Sequence, residues 1–357
     1  MWEPSVPYNE LPAPPANELE SKAALKAVTE ARAALAALDQ AVRRMPNPTV
    51  LVSAIPLLEA KASSEIENIV TTTDELFRLA ADSEDKASPE TKETLRYRTA
   101  LFSGLQSLDR RPLSAMTAIE VCTNIKGREM GVRNLPGTYI GNPVTKQARY
   151  TPPEGKAVIE QKLSDWEQFI HGNESIDPLI VMAAAHYQFE AIHPFTDGNG
   201  RTGRILNVLL LIEAGLLADP VLYLSRYIIK HKDEYYDRLL AVTRDAEWEA
   251  WLLFMLEGVR ETSLQTLAIV DGIQQLQQTM RAELREISSA GANADLIDLL
   301  FELPYCRISD VMERCEVSRP TAAKWLNELV GAGKLADQRV GRERLFINHR
   351  FIEVLAA

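Results

Sequence analysis

Apolar residues recur along most of the chain with the 3.6-residue period of an amphipathic helix. The segment from Leu19 to Arg44 is rich in Ala and Leu and keeps its charges on one side, which predicts a helix. The same periodicity resumes at Glu90 and recurs in blocks to about Ile287. The pattern therefore predicts a mainly α protein.

Two shorter helices are predicted between these segments. One runs after Pro56 through Ile69, and the next begins at about Asp74, where Thr72 and Glu75 fit a capping box. The polar segment 81–89 that follows predicts a loop.

Proline and glycine mark two interruptions of the helical pattern. Residues 1–20 hold five prolines and predict an extended arm that lies over another part of the protein. The Gly- and Pro-rich stretch from Gly127 to Gly155 carries Tyr139, Ile140 and Val144 between its turns. It predicts a short β-hairpin flap inserted in the helical domain, with a plain connecting loop as the alternative.

The C-terminal residues have a different pattern. Residues 288–293 are small and predict a linker. Three short helices are predicted after it, at 295–301, 308–315 and 320–330, with a turn at 316–318 between the last two. An alternating segment follows at 334–347. A helix, a helix-turn-helix and a hairpin in this order predict a winged helix. The predicted domains are an N-terminal helical region at 1–105, a catalytic core at 106–287 and the winged-helix domain at 288–357.

Composition narrows the class of protein. The chain is 46% hydrophobic and 25% charged, which excludes disorder, a collagen or a coiled-coil rod as the main content. Its length of 357 residues is too great for a single small binding module. The net charge of −11 argues against a general nucleic-acid binder, although a local basic patch stays open.

The predicted location is the cytoplasm. Three separated cysteines are too few for a disulfide framework or a four-ligand zinc site. The N-terminus lacks the basic and apolar regions of a secretion signal. No stretch of 18 residues is free of charge, so no membrane association is expected.

The candidate chemistry lies in one string, HPFTDGNGRTGR at 193–204, between predicted helices at 179–192 and 205–217. A glycine-rich loop that enters a helix offers free N–H groups and the positive end of the helix dipole, which together bind anions. Gly198, Gly200 and Gly203 allow close backbone approach to a phosphate.

The side chains of this string suit phosphate chemistry. Asp197 is a hard oxygen ligand for Mg²⁺, and Arg201 and Arg204 can bind phosphate oxygens. His193 is a candidate general base. No cysteine or serine lies where it could act as a nucleophile, which favours direct transfer. Either half of the string alone is also compatible with a simple turn and a structural histidine.

The whole string matches the H-P-F-x-[D/E]-G-N-G-R-x-x-R signature of the Fic family at every fixed position. With its N-terminal helices, flap and C-terminal winged helix, the chain resembles multi-domain bacterial Fic proteins over its full length. The resemblance implies a Fic-type helical core that transfers AMP from ATP to a hydroxyl side chain of a target protein and releases pyrophosphate. The residues alone do not separate AMP from another phosphate-linked group.

The resemblance also implies individual roles. His193 would deprotonate the target hydroxyl, and Asp197 would hold Mg²⁺. Gly198, Asn199 and Gly200 would bind the α-phosphate, and Arg201 and Arg204 the β- and γ-phosphates. The implied nucleotide-binding set is Gly198, Asn199, Gly200, Arg201, Thr202, Gly203, Arg204 and Tyr236.

A second motif lies upstream. Ser63 to Asn68 fits the [S/T]-x-x-x-E-[G/N] inhibitory motif of the same family, in which Ser63 is the first residue. The resemblance implies that Glu67 pairs with Arg204, withholds it from the γ-phosphate and also serves hydrolytic removal of AMP. The alternative is a capping box formed by Ser64 and Glu67.

Two further segments resemble family elements. Ser225-Arg226-Tyr227, Tyr235-Tyr236 and Leu239 are similar to the stretch that lines the adenosine pocket, with Tyr236 as the contact, although such aromatic pairs also occur in cores. The flap at 133–150 resembles the element that clamps a target backbone by strand addition. Trp248 and Trp251 are predicted to pack in the core.

The implied partners are a target protein presenting a Ser, Thr or Tyr hydroxyl, the protein itself, and a second copy in a homodimer. From Gly291 onward the sequence has nine basic and ten acidic residues, so the predicted winged helix lacks a net positive charge. Its basic side chains are Arg319, Lys324, Arg339, Arg342 and Arg344. DNA binding, dimerisation and target docking stay open for this domain. The alternative function is a DNA-binding regulator whose Fic-like core senses nucleotide.

Overall fold

The computed structural model describes residues 2–80, 88–142, 145, 147–287, 293–340 and 343–356. Most of the predicted loop at 81–89 and of the predicted linker at 288–293 lies outside these described residues, as do Val144 and Arg342. The three predicted domain ranges stay predictions.

Helices dominate the first two thirds of the described chain. The N-terminal helices are α1 (Lys22–Arg43), α2 (Thr49–Ile66), α3 (Thr73–Ala80), α4 (Pro89–Leu108) and α5 (Ala115–Lys126). A hairpin of β1 (Ile140–Asn142) and β2 (Gln147–Tyr150) follows. The next helices are α6 (Lys156–His171), α7 (Pro178–Ile192), α8 (Asn199–Glu213), α9 (Leu224–Lys230), α10 (Lys232–Asp245) and α11 (Trp248–Ile287).

Helices α2 and α8 differ from the prediction at both ends, and they end at Ile66 and Glu213 rather than at Ile69 and Leu217. Helix α2 begins at Thr49, so Pro56 lies inside the helix and does not start it. Burial of the apolar residues on both sides of Pro56, such as Leu51 and Leu57, outweighs the backbone hydrogen bond that a proline cannot donate. Helix α8 begins at Asn199 rather than Ile205, because Gly198 takes the left-handed conformation that starts the helix early.

Helices α7 and α8 form the centre of the core and are buried over most of their surfaces. The indole N–H groups of Trp166 and Trp251 donate to the carbonyls of Ala185 and Ala183 in α7, at 3.0 and 2.8 Å. Trp251 is thus a core residue, as predicted, and Trp248 packs against the core. The long helix α11 packs along α1. The loop between α7 and α8 is therefore held between two rigid elements.

The N-terminal arm lies over the base of the flap, as predicted. The Thr151 hydroxyl donates to the Pro4 carbonyl at 2.7 Å, and the Gln188 amide donates to the Pro12 carbonyl at 3.1 Å. Leu11 is fully buried in the core. The predicted flap is likewise confirmed as an antiparallel hairpin in which Ile140 pairs with Tyr150.

The C-terminal unit combines four helices with a small antiparallel sheet. Its elements are α12 (Ala294–Glu302), β3 (Tyr305–Cys306), α13 (Ile308–Cys315), α14 (Arg319–Gly331), β4 (Ala336–Val340), β5 (Glu343–Ile347) and α15 (His349–Ala356). The strand order is β3-β5-β4. The predicted helices and hairpin are present. Strand β3 was not predicted, because two residues carry no periodicity. Helix α15 was also not predicted, although its buried Phe351 and Leu355 are four residues apart, as on one face of a helix.

The C-terminal unit contacts the rest of the chain at two places. Helix α12 packs on α2, and the Tyr305 hydroxyl donates to the carboxylate of Asp74 in α3. Glu283 in α11 accepts from Lys334 at 3.0 Å and from Arg350 at 2.8 Å. Within the described ranges, no helix is both long and apolar enough to cross a bilayer.

Candidate active site

The signature loop joins the end of α7 to the start of α8. His193 ends α7 in the left-handed conformation, with φ 50°, and Gly198 precedes α8 with φ 85°. The Asn199 side chain closes the loop, since it accepts from the Phe195 N–H and donates to the Phe195 carbonyl, both at 2.8 Å. The loop thus turns sharply and places the first turn of α8 beside His193.

His193 is suited to accept a proton. Its imidazole interacts with the Glu190 backbone carbonyl, and its own carbonyl accepts from Arg133 Nε at 2.8 Å. Burial and the nearby Arg133 charge lower the pKa of His193 to about 4. The imidazole is therefore neutral at physiological pH.

Asp197 lies at the rim of the site. Its side chain is 51% exposed and accepts from Lys126 Nζ at 2.6 Å, while Arg201 Nη2 lies 3.6 Å away. Although partial burial opposes ionisation, the Lys126 hydrogen bond and the charges of Lys126 and Arg201 lower the pKa of Asp197. An ionised, solvent-accessible carboxylate beside an anion site fits Mg²⁺, which needs only one or two protein carboxylates when phosphate oxygens supply further ligands. No cluster of three or more His, Cys, Asp or Glu able to hold a metal occurs among the described residues.

Glu67 contacts both arginines of the signature. Its Oε1 accepts from the Arg201 backbone N–H at 2.9 Å and from Arg204 Nη2 at 3.0 Å, and its Oε2 accepts from Arg201 Nε at 2.6 Å. Burial alone would lower the pKa values of both arginines, but the charge of Glu67 helps to raise them. The carboxylate thus takes a backbone donor of the first turn of α8 as well as two guanidinium groups.

Ser63 lies one turn before Glu67 and also contacts Arg204. Its hydroxyl accepts from Arg204 Nε at 2.7 Å and its carbonyl from Arg204 Nη2 at 2.8 Å. The spacing of four residues places Glu59, Ser63 and Glu67 along one face of α2. Arg204 therefore bonds to two residues of this face, Ser63 and Glu67.

Glu59 is a buried carboxylate that the sequence reasoning did not select. It accepts from the Ser225 N–H at 2.9 Å, from the Ser225 hydroxyl and from the Tyr97 hydroxyl at 3.2 Å. Burial raises the pKa of Glu59 despite these donors. A lone acid within the apolar run IPLLEA was the available sequence signal.

Two more charged residues belong to the site but were not predicted. Glu93 in α4 accepts from Arg201 Nη1 at 2.7 Å and from Lys126, which bridges it to Asp197. Partial burial alone would raise the pKa of Glu93, but hydrogen bonds from Lys126 and Arg201 and their charges lower it. Neither residue has a local signal: Lys126 looks like an ordinary helix C-terminal cation before Gly127, and Glu93 like a surface acid.

The remaining signature residues face different directions. A Cβ at Gly200 would lie 2.7 Å from Glu67 Oε1, and a Cβ at Gly203 would lie 2.7 Å from Glu190 Oε1. Gly200 therefore borders Glu67, whereas Gly203 packs against α7. Thr202 is fully buried, and its N–H donates to the Gly198 carbonyl at 3.0 Å.

A cavity of about 320 Å³ opens beside this loop between the flap, α7 and α10. Tyr236 and Leu239 line it, together with Tyr187 and Glu190, and burial raises the pKa of Glu190 to about 7. The other residues of the predicted adenosine stretch do not line this cavity. Those residues are Ser225, Arg226, Tyr227 and Tyr235. Ser225 contacts Glu59 instead, and the Tyr235 hydroxyl lies 2.9 Å from His186 Nε2.

Three family models match the chain in succession. They are the Fic/DOC family N-terminal model at residues 25–106, the Fic/DOC family model at 120–211 and the "Protein adenylyltransferase SoFic-like, C-terminal domain" model at 273–351. The central match contains the whole loop from His193 to Arg204. The chain therefore contains a Fic/DOC N-terminal region, a Fic domain and a SoFic-like C-terminal domain.

Curated relatives match part of the chain. It is 36% identical over 145 residues to protein adenylyltransferase fic-1 of Caenorhabditis briggsae and 31% identical over 149 residues to protein adenylyltransferase Fic of Drosophila willistoni. These matches cover 39% and 41% of this chain, and 26% and 28% of the relatives. The chain thus spans less than a third of the length of either relative.

Among solved structures, the chain is similar to a Fic family protein from Desulfovibrio desulfuricans G20. The TM-score is 0.50 at 17% identity, and the match covers 94% of this chain and 98% of that one. It is also similar to Fic-1 of C. elegans, with a TM-score of 0.53, 21% identity and coverage of 70% and 73%. At these identities the likeness shows the Fic fold.

Proposed function

We propose that this protein is an adenylyltransferase that transfers AMP from ATP to a hydroxyl side chain of a target protein. The observation that carries the proposal is the loop His193–Arg204, which joins a half-buried imidazole of lowered pKa to a helix N-terminus that carries two buried arginines. The names of the curated relatives support AMP as the transferred group.

In the proposed reaction, the hydroxyl oxygen of the target attacks the α-phosphorus of ATP. The bond from the α-phosphorus to the bridging oxygen breaks as the new P–O bond forms, and pyrophosphate leaves. His193 takes the proton of the hydroxyl. The first turn of α8, Arg201 and Arg204 stabilise the negative charge of the phosphates, so catalysis comes from positioning and electrostatics.

Asp197 would hold Mg²⁺ together with phosphate oxygens, and Lys126 would have to release its carboxylate for this. When bound, Mg²⁺ would neutralise charge on the phosphates of ATP. Tyr236 would contact the nucleoside in the cavity beneath the flap, and the flap would hold the target backbone.

We propose further that Glu67 keeps the enzyme in a low-activity state and also serves hydrolytic removal of AMP. The support is that its carboxylate takes the Arg201 N–H and both guanidinium groups, which are the donors that the ATP phosphates require. A fixed negative charge at this position also repels a triphosphate.

Incorporation of labelled AMP by wild type and Glu67→Gly tests both proposals. Glu67→Gly is expected to label itself or a target at least about 10-fold faster, because its arginines are free for ATP. Adding His193→Ala to Glu67→Gly should lower the rate by roughly 10²–10⁴, the usual contribution of a general base. Equal labelling by wild type and Glu67→Gly would contradict the inhibitory role, and labelling that survives His193→Ala would contradict the role of His193.

The C-terminal unit is interpreted as a winged helix, since its helices and strands follow the predicted order. The comparisons do not favour the alternative of a DNA-binding regulator. Cytoplasmic location, a homodimer, DNA binding and the identity of the target hydroxyl stay predictions.

A further inference from the structure

Arg133 is a buried cation between the flap and the catalytic loop. Only 3% of it is exposed. Its Nε donates to the His193 carbonyl at 2.8 Å, and its Nη2 donates to the carbonyls of Pro153 and Ile192. Its backbone N–H donates to the Pro194 carbonyl at 2.9 Å. One side chain thus joins the end of α7 to the chain segments on both sides of the flap.

These partners are all carbonyls, and Arg133 makes no ion pair within the described part of the chain. The guanidinium charge is therefore only partly compensated. A positive charge near the C-terminal end of α7 matches the helix dipole, but it disfavours a second positive charge on the adjacent imidazole.

The charged groups around His193 act in opposite directions. Burial and Arg133 lower the pKa of the imidazole, whereas Glu67, Asp197 and the Glu190 carbonyl raise it. Because the net pKa is about 4, burial and Arg133 dominate.

We propose that Arg133 is a positioning residue that fixes His193 in its left-handed conformation and ties it to the flap. This inference rests on the proposed function, in which His193 is the base. Tyr150 strengthens the same link, since its hydroxyl donates to the Ala191 carbonyl at 2.7 Å. A target held by the flap would thus be presented in register with the base.

The test uses Arg133→Met and Arg133→Lys in the full-length Glu67→Gly protein. Arg133→Met removes both the charge and the hydrogen bonds, whereas Arg133→Lys keeps the charge and loses the planar fork. Arg128→Met is the matched control, because Arg128 is an exposed arginine five residues upstream.

The first readout does not depend on activity. In an NMR titration, the histidine signal that His193→Ala removes should show a pKa at least about one unit higher in Arg133→Met, with a smaller change in Arg133→Lys. Arg128→Met should leave it unchanged. An unchanged pKa in both Arg133 variants would overturn the inference, and where Arg133→Met does not fold, Arg133→Lys decides.

The second readout is AMP transfer against pH. Both Arg133 variants should lose about 10-fold or more in kcat with little change in the KM for ATP, and the acid limb of Arg133→Met should move to higher pH. A change in KM alone would overturn the positioning role. Failure of the parent Glu67→Gly to transfer AMP would instead count against the proposed function, while the NMR result still judges Arg133.

Discussion

At the scale of single residues, the site depends on carboxylates that hold cations in place. Glu67, Glu93 and Asp197 surround Arg201, and Glu67 reaches Arg204 as well. Buried arginines need such partners, since an unpaired buried charge is strongly destabilising. The inhibitory contact proposed here therefore also stabilises the folded site, and nucleotide phosphates would have to replace it.

Glu59 provides a residue-scale test of the helix that carries Glu67. Glu59→Met keeps the length of the side chain but has no oxygen to accept from the Ser225 N–H, the Ser225 hydroxyl or the Tyr97 hydroxyl. These buried donors lose their partner, so we expect the free energy of unfolding to fall by about 1–3 kcal/mol in urea denaturation. Glu65→Met on the same helix is the control, because its partly exposed pair with Lys61 contributes less than about 0.5 kcal/mol. Equal losses in the two variants would contradict the role of Glu59.

At the scale of elements, the catalytic loop depends on how closely α7 and α8 approach each other. Gly203 in α8 faces Glu190 and the ring of Phe189 in α7, where a Cβ would have contacts of 2.7 and 3.2 Å. Helix α7 ends at Ile192, directly before His193, and α8 begins at Asn199. The distance between these helices therefore fixes the distance between the base and the anion site.

Gly203→Ala tests this close approach. The added methyl group overpacks the α7–α8 contact and should lower the free energy of unfolding by about 1–3 kcal/mol. Gly331→Ala is the control, since a Cβ at Gly331 in α14 has nothing within 4 Å and should leave stability unchanged or raise it by up to about 1 kcal/mol. Guanidinium chloride midpoints measure both. A Gly203→Ala protein as stable as the parent would show that the helices can separate.

At the scale of the whole molecule, the C-terminal unit packs on α2, the helix that ends directly before Glu67, and on α3. Helix α12 contacts α2, and Tyr305 binds Asp74 in α3. Two histidines also have lowered pKa values. Burial is the main cause and a nearby arginine the second, and they lower the pKa of the buried His186 to about 3 and that of the half-buried His193 to about 4. Both must be protonated if the chain unfolds in mild acid.

The pH dependence of stability follows from these two histidines. At these two histidines the unfolded chain binds more protons than the folded one between about pH 6.5 and pH 4, so together they lower the free energy of unfolding as the pH falls through this window. The carboxyl groups with raised pKa values, Glu59, Glu190 and Asp219, act in the opposite direction. Glu93 and Asp197, whose pKa values are lowered, act in the same direction as the histidines at the acid end of the window. Urea denaturation at pH 7 and pH 5 measures the difference. His186→Gln, in which the amide can still bond Tyr235, should reduce it, and an unchanged pH slope would contradict this account.

The sequence by itself determined the helical class, the hairpin flap, the order of the C-terminal helices and the position of the anion-binding loop. Each of these has a local signal, such as a 3.6-residue period, a cluster of Gly and Pro, or a continuous motif. Where the local signal was misleading, as at Pro56, burial of the surrounding apolar residues decided the outcome.

Only the tertiary structure decided which side chains meet at that loop. Glu59, Glu93, Lys126 and Arg133 lie on separate elements, and Arg133 is 60 residues from His193 in the chain. Their contacts depend on the packing of helices and on ion pairing in a buried site, which no local pattern records. The motif at 63–68 implied that Glu67 pairs with Arg204, but its contacts with the Arg201 side chain and backbone N–H depend on where α2 ends relative to the first turn of α8.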